Sequence, residues 1–156
     1  MEFTSNSVND TLRIGRRIAK ELKPSDIVCL FGDLGTGKTV LTKGIACGLG
    51  INSSAITSPS FVLLRQYPKV KLPLFHFDLY RLVETKDIAG LGFEEYFYGP
   101  GVSVIEWAQR LDCLMPKDYL KIELSVKGPS RRGFKFYAFG DRYKELLKKI
   151  HEDLSH

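Results

Sequence analysis

A glycine-rich segment at residues 32–39 has the composition and spacing needed to hold phosphate groups. It reads Gly-Asp-Leu-Gly-Thr-Gly-Lys-Thr and matches the pattern G-x-x-x-x-G-K-[ST]. In such a loop the glycines let backbone N–H groups surround phosphates, the lysine reaches the β- and γ-phosphate oxygens, and the last hydroxyl ligates Mg²⁺. We therefore predict a nucleotide site whose residues on this segment are Asp33, Leu34, Gly35, Thr36, Gly37, Lys38, Thr39 and Val40.

The residues on either side supply the structural context that this pattern requires. Residues 27–31 form a continuous apolar run of β-forming residues, typical of a strand buried on both faces of a parallel sheet. Residues 38–49 are predicted to form a helix, and Gly50 follows where a left-handed C-terminal cap favours glycine. The order strand, glycine loop, helix places the phosphates at a helix N-terminus.

Two carboxylates follow apolar strands elsewhere in the chain. Asp78 comes after residues 74–77 and Glu106 after residues 102–105. Ligands of open α/β sheets bind at the C-terminal edges of the strands, where both side chains are expected to emerge. A phosphate cradle needs such a group to support the metal or to position water. We predict that Lys38, Asp78 and Glu106 are catalytic, although a surface salt bridge is the alternative for either carboxylate alone.

The remaining patterns predict the other elements of the fold. An apolar stripe at Val8, Leu12, Gly15, Ala19 and Leu22 indicates an amphipathic helix, with a capping box from Ser7 and Asp10. Further patterns predict a strand pair at 62–67 and 74–78, mixed helical character at 84–98, a late hairpin from 119–126 and 134–139, and a terminal helix capped by Asp141. These elements predict one three-layer α/β domain over residues 1–156, with a mainly parallel central sheet and a late antiparallel hairpin.

Composition and charge favour an ordinary soluble domain. The chain is 44% hydrophobic and 26% charged, and its net charge of +5 permits but does not require contact with nucleic acid. The three cysteines lack the CxxC spacing of a zinc site, which favours reduced thiols. We find no signal peptide and no apolar run long enough to span a bilayer, so we expect a cytoplasmic protein without membrane contact.

Four motifs, taken together and in their order, resemble the TsaE (YjeE) family, the bacterial ATPase of tRNA threonylcarbamoyladenosine synthesis. They are the glycine-rich loop, Ser-Pro-Ser-Phe at 58–61, His-Phe-Asp-Leu-Tyr-Arg at 76–81 and Ile-Glu-Trp at 105–107. The resemblance runs from about Val8 to Phe139. Ser60 stands where the family usually has threonine, which keeps a hydroxyl and loses a methyl group.

The resemblance implies roles for individual residues. Thr39 and Glu106 match the magnesium ligands, Lys38 matches the phosphate lysine, Asp78 matches an acidic residue important for activity, and Trp107 matches a tryptophan close to the nucleotide. The segment 58–61 matches a switch-like segment. Adenine contacts in the family come from the N-terminal segment and the late hairpin turn, which points to Asn9 or Thr11 and to Arg131 or Arg132.

The resemblance also implies cofactors and partners. ATP or ADP and Mg²⁺ are the expected cofactors, and TsaD and TsaB-type proteins of the threonylcarbamoyl transfer complex are the expected partners, with indirect contact to tRNA. Low intrinsic turnover is expected, because no arginine finger is evident; Arg81 and Arg110 are not placed by sequence alone. A small-molecule kinase and a nucleotide-gated interaction module remain alternatives. A GTPase is disfavoured because the guanine-reading Asn-Lys-x-Asp tetrad is absent from the sequence.

Overall fold

The structure is a computed structural model that describes residues 1–57, 63–68, 72–82 and 84–156. Its strands are β1 Glu2–Ser5, β2 Ile27–Phe31, β3 Leu64–Tyr67, β4 Leu74–Asp78, β5 Val102–Glu106, β6 Tyr119–Val126 and β7 Arg132–Phe139. Its α-helices are α1 Val8–Glu21, α2 Lys38–Gly48, α3 Thr85–Ala89, α4 Phe93–Phe97 and α5 Asp141–Leu154, and short 3₁₀ helices span Ser53–Ala55 and Ala108–Leu114.

The strands form one seven-stranded sheet in the order β1-β7-β6-β2-β5-β4-β3. Strand β2 lies between β5 and β6 and is parallel to both, and β4 is parallel to β5. The hairpin β6-β7 and the edge strands β1 and β3 pair antiparallel. The predicted class, an α/β fold with a parallel centre and a late antiparallel hairpin, is confirmed.

Helices cover both faces of the sheet, which gives the three predicted layers. Along β2, Val28 and Leu30 point into the core shared with α1, α2 and α5. Ile27 and Cys29 point to the other face, into the core shared with α3, α4 and the 3₁₀ helix Ala108–Leu114. Because both faces of β2 are buried, a continuous apolar run suits this strand better than an alternating one.

Helix α2, which begins at Lys38, packs so closely against α1 that the backbones of the two helices are in contact. A Cβ atom on Gly44 would lie 2.5 Å from the carbonyl oxygen of Leu12, and one on Gly15 would lie 2.7 Å from that of Leu41. Only residues without a Cβ permit this approach, because real Cβ atoms do not come so close to backbone oxygens. The position of the helix that starts at the glycine-rich loop is therefore set by α1.

A buried polar cluster ties α5 to the beginning of β2. The Arg142 guanidinium donates to both carboxylate oxygens of Asp26, at 3.0 and 2.5 Å. The phenol oxygen of Tyr143 accepts the backbone N–H of Ile27 at 2.7 Å. Burial raises the pKa of the Tyr143 phenol, which favours its neutral form. The cluster fixes the end of β2 that lies opposite the glycine-rich loop.

Several local predictions need correction. Val8 of the predicted stripe is 62% exposed, whereas Gly15, Ala19 and Leu22 are buried as predicted. The buried face of α1 also includes three residues outside that stripe, Thr11, Ile14 and Ile18. Asp141 is the first residue of α5 and does not cap it; Gly140 precedes the helix. The helical character predicted for residues 84–98 is confirmed and is divided between two short helices, because Gly92 adopts a left-handed backbone with φ 66° between them.

The strand predictions were accurate near the centre of the sheet and weaker at its edges. The second hairpin strand begins at Arg132 and not at residue 134, and the short strand β1 was not predicted. Val62, the predicted first residue of the strand before β4, lies outside the described residues. Among the residues that the structure describes, no helix combines the length and apolar character that a membrane span requires.

Candidate nucleotide-binding site

The glycine-rich loop adopts backbone angles that favour glycine. Gly35 and Gly37 have φ values of 81° and 95°, in the left-handed region that side chains disfavour. Gly37 immediately precedes α2, and no side chain caps the helix there. The first N–H groups of α2 therefore have no capping side chain, and a helix N-terminus of this kind attracts anions.

Lys38 is buried at the base of the loop and is oriented by the loop itself. Its ammonium nitrogen donates to the carbonyl oxygens of Gly32 and Asp33, at 2.6 and 2.8 Å. The same nitrogen lies 4.2 Å from the centre of the Trp107 ring. Burial lowers the pKa of the Lys38 ammonium, whereas the charges of Glu106, Asp78 and Asp33 act in the opposite direction.

Glu106 lies at the end of β5, with both carboxylate oxygens engaged. The Thr39 hydroxyl donates to Oε1 at 2.8 Å, and Nε2 of His76 makes a short hydrogen bond to Oε2. The residue is only 2% exposed. Neither a lysine nor an arginine donates a hydrogen bond to this carboxylate within the described ranges.

The oxygen atoms of Thr39 and Glu106 fit a magnesium ion. Mg²⁺ is commonly held by one or two carboxylates together with substrate phosphates. Because the Thr39 hydroxyl uses its hydrogen toward Glu106, the lone pairs of that hydroxyl oxygen remain available to a cation. The donor set therefore fits the ion that the glycine-rich pattern predicts.

Asp78 lies beside Glu106, because β4 and β5 are parallel and these two residues are register partners. Asp78 is 5% exposed, and its carboxylate accepts the backbone N–H of Tyr80 at 3.0 Å. The Tyr80 ring packs against Trp107 with 4.9 Å between ring centroids. The structure thus brings Lys38, Asp78, Glu106 and Trp107 to one edge of the sheet, as the sequence predicted.

The four residues predicted to contact adenine lie in settings that do not indicate a ligand. Thr11 is buried, and its hydroxyl shares a hydrogen bond with Ser5 at 2.9 Å. Arg132 donates to carbonyl oxygens within its own turn, including that of Gly128 at 3.1 Å. Asn9 and Arg131 are exposed. The adenine roles of these residues stay predictions.

An open cavity of about 370 Å³ adjoins the glycine-rich loop on the side of β6. Its lining includes Phe31, Glu123, Lys127 and Lys135 together with loop residues, and it includes none of the four predicted adenine residues. The sequence analysis did not single out Phe31, Glu123, Lys127 or Lys135 as site residues. Glu123 and Lys135 are register partners in the β6-β7 hairpin.

The other residues singled out by sequence lie in varied settings. Leu34 is 74% exposed at the outer side of the loop, and Val40 is half-buried in the first turn of α2. Arg81 is exposed and Arg110 is half-buried. The switch-like segment 58–61 lies outside the described residues.

Comparisons with known proteins agree on one family. The family model described as "Threonylcarbamoyl adenosine biosynthesis protein TsaE" matches residues 5–134. A Bacillus subtilis protein named "tRNA threonylcarbamoyladenosine biosynthesis protein TsaE" is 38% identical and covers 99% of this chain and 98% of its own length. A Treponema pallidum protein of the same name is 41% identical, covering 85% and 96%. The crystal structure of Bacillus subtilis YdiB superposes with a TM-score of 0.83 at 35% identity, covering 98% of this chain and 95% of that one.

Proposed function

The chain belongs to the TsaE family of tRNA threonylcarbamoyladenosine biosynthesis proteins, and we propose that it is a P-loop ATPase that binds Mg-ATP and hydrolyses it in support of this tRNA modification. The observation that carries the proposal is the junction between the loop and β5. There, Lys38, Thr39 and Glu106 meet within hydrogen-bonding or charge-interaction distance. A phosphate cradle and a metal-supporting carboxylate are thus combined in one buried site.

Each residue has a defined task in this proposal. The backbone N–H groups of the loop and the ammonium of Lys38 bind the β- and γ-phosphates and neutralise their charge. Thr39 and Glu106 hold Mg²⁺, which when bound neutralises charge that develops on the phosphate oxygens during transfer. Asp78, the register partner of Glu106, orients the water molecule that attacks the γ-phosphate. Trp107 packs over the lysine and keeps its ammonium directed into the loop.

Turnover by the isolated chain is expected to be slow. An arginine that contacts the transferring phosphate contributes about 10³–10⁵ in rate in P-loop enzymes. The glycine-rich loop itself, residues 32–39, contains no arginine. We propose that TsaD and TsaB-type partner proteins complete the site in the cytoplasm, and that contact with tRNA occurs through those partners.

The test is ATP hydrolysis by the pure chain, measured alone and again with the partner pair and tRNA. The proposal expects slow release of inorganic phosphate by the chain and a large stimulation by the partners. Phosphate found on a small metabolite instead of in solution would identify a kinase. Tight ATP binding without hydrolysis under every condition would identify a nucleotide-gated interaction module.

A further inference from the structure

We propose that His76 is a positioning residue that holds the Glu106 carboxylate in the orientation needed to support Mg²⁺. This inference rests on the proposed function, because it concerns the same site. His76 lies on β4, two residues before Asp78, and its side chain is fully buried. Its partner in the β4-β5 register is Val104, two residues before Glu106. The ring therefore lies on the same sheet face as Glu106 and reaches along the strands toward it.

The hydrogen bonds assign a direction to this contact. A carboxylate oxygen only accepts, so Nε2 of His76 carries the hydrogen and donates it to Oε2 of Glu106. The other ring nitrogen, Nδ1, has no hydrogen-bond partner within the described ranges. Glu106 is thus the one described side chain that bonds the imidazole.

Burial of this imidazole carries a free-energy cost that an apolar side chain would avoid. A buried polar atom without a partner destabilises the folded state. A leucine at this position would fill a similar space without an unpaired nitrogen. The hydrogen bond to Glu106 is the feature that a leucine would not reproduce, and this points to a task in the site.

The role of His76 follows from the hydrogen bonds of the two carboxylate oxygens of Glu106. Oε1 accepts from Thr39 and Oε2 accepts from His76, so neither oxygen is free to rotate about the terminal bond. Loss of the His76 bond frees the carboxylate to turn away from Thr39. Metal binding must then order the carboxylate, and the entropy lost in doing so lowers the affinity for Mg²⁺. Groups that orient metal-binding side chains raise metal affinity in this way.

The experiment measures ATP affinity with excess magnesium chloride and again with EDTA, using the fluorescence of Trp107, the single tryptophan of the chain. The variants are His76→Leu, which removes the donor, and His76→Gln, which keeps an N–H donor of similar reach. Ser103→Ala serves as a matched control, because Ser103 is a fully buried polar residue on β5 whose hydroxyl has no partner among the described residues.

We expect His76→Leu to weaken ATP binding about tenfold with magnesium and to leave the affinity in EDTA unchanged. His76→Gln should recover most of the loss, and Ser103→Ala should match the wild type in both buffers. Wild-type affinity of His76→Leu with magnesium would overturn the inference. Equal weakening of both leucine and glutamine variants in both buffers would also overturn it, because that result indicates a general packing defect. If the wild type itself showed no magnesium-dependent ATP binding, the proposed function would fail instead.

Discussion

Asp26 and Glu106 are both buried carboxylates beside the central strand β2, and they lie at its opposite ends. Asp26 precedes β2 and accepts two hydrogen bonds from the Arg142 guanidinium and one from the backbone N–H of Lys23. Glu106 is the β5 partner of Leu30, near the glycine-rich loop, and accepts only from Thr39 and His76. One carboxylate is bonded to a guanidinium, whereas the other is bonded to a hydroxyl and an imidazole.

The difference separates a structural role from a functional one. A buried carboxylate that is paired in a bidentate ion pair has its charge compensated within the fold. A buried carboxylate held by a hydroxyl donor retains negative charge that a cation is able to neutralise. We therefore propose a role in fold stability for Asp26 and a role in ligand binding for Glu106, and the following substitutions test this proposal.

Lys38→Ala has the largest expected effect. It removes the charge that neutralises the β- and γ-phosphates, so we expect loss of ATP hydrolysis and a marked decrease in ATP affinity. The measurement is phosphate release together with an ATP titration. Lys43→Ala, which removes a lysine from the same helix, should keep wild-type hydrolysis. Hydrolysis at the wild-type rate by Lys38→Ala would show that the glycine-rich loop is not the active site.

Asp26→Ala is expected to destabilise the fold without affecting ligand binding. It leaves Arg142 and the Lys23 N–H without their acceptor, at a cost of roughly 3 kcal/mol in the free energy of unfolding. For a chain of this size, the unfolding temperature should decrease by about 6–12 °C. Glu145→Ala, which breaks an exposed ion pair with Lys149, is the control and should change the unfolding temperature little. A similar decrease in both variants contradicts the structural role of Asp26.

Glu106→Ala and Asp78→Ala should affect different steps. Loss of Glu106 removes the anionic support of Mg²⁺, so we expect ATP affinity in magnesium to fall by at least about tenfold, and hydrolysis with it. Loss of Asp78 should leave Mg-ATP binding largely intact and slow partner-stimulated hydrolysis. Binding titrations with and without magnesium, beside single-turnover hydrolysis, distinguish the two. The assignment is reversed if Asp78→Ala loses the magnesium dependence of binding and Glu106→Ala keeps it.

Tyr143→Phe has the smallest expected effect. It removes the oxygen that accepts the Ile27 N–H, and an unpaired buried donor costs about 1–3 kcal/mol. Denaturant unfolding monitored by circular dichroism measures this loss, and ATP affinity should stay at the wild-type value. Unchanged stability would show that the Ile27 N–H finds water or another acceptor.

The centre of the fold was predictable because its signals are local. The apolar run of β2, the loop glycines and α2 follow one another directly, and each has its own sequence pattern. Edge strand β1 was missed because its four residues carry no pattern of their own. It forms by pairing with β7, more than a hundred residues later.

The site was predictable in part for a similar reason. Carboxylates that follow apolar strands predicted the meeting of Asp78 and Glu106 at one sheet edge. The Asp26–Arg142 pair was not predicted, because its members are 116 positions apart and their contact depends on where α5 packs. The contact of His76 with Glu106 required the β4-β5 register, which sequence patterns alone do not give.

The most direct test of the difference between the two carboxylates is the unfolding temperature of three proteins at increasing Mg-ATP concentration. A ligand at a hundred times its Kd stabilises the folded state by about 2.7 kcal/mol. We predict that saturating Mg-ATP raises the unfolding temperature of the wild type and of Asp26→Ala by the same increment, about 5–10 °C. At the same Mg-ATP concentrations, the increment for Glu106→Ala should be much smaller and no larger than with ATP in EDTA. An increment for Glu106→Ala equal to that of the wild type would contradict the account.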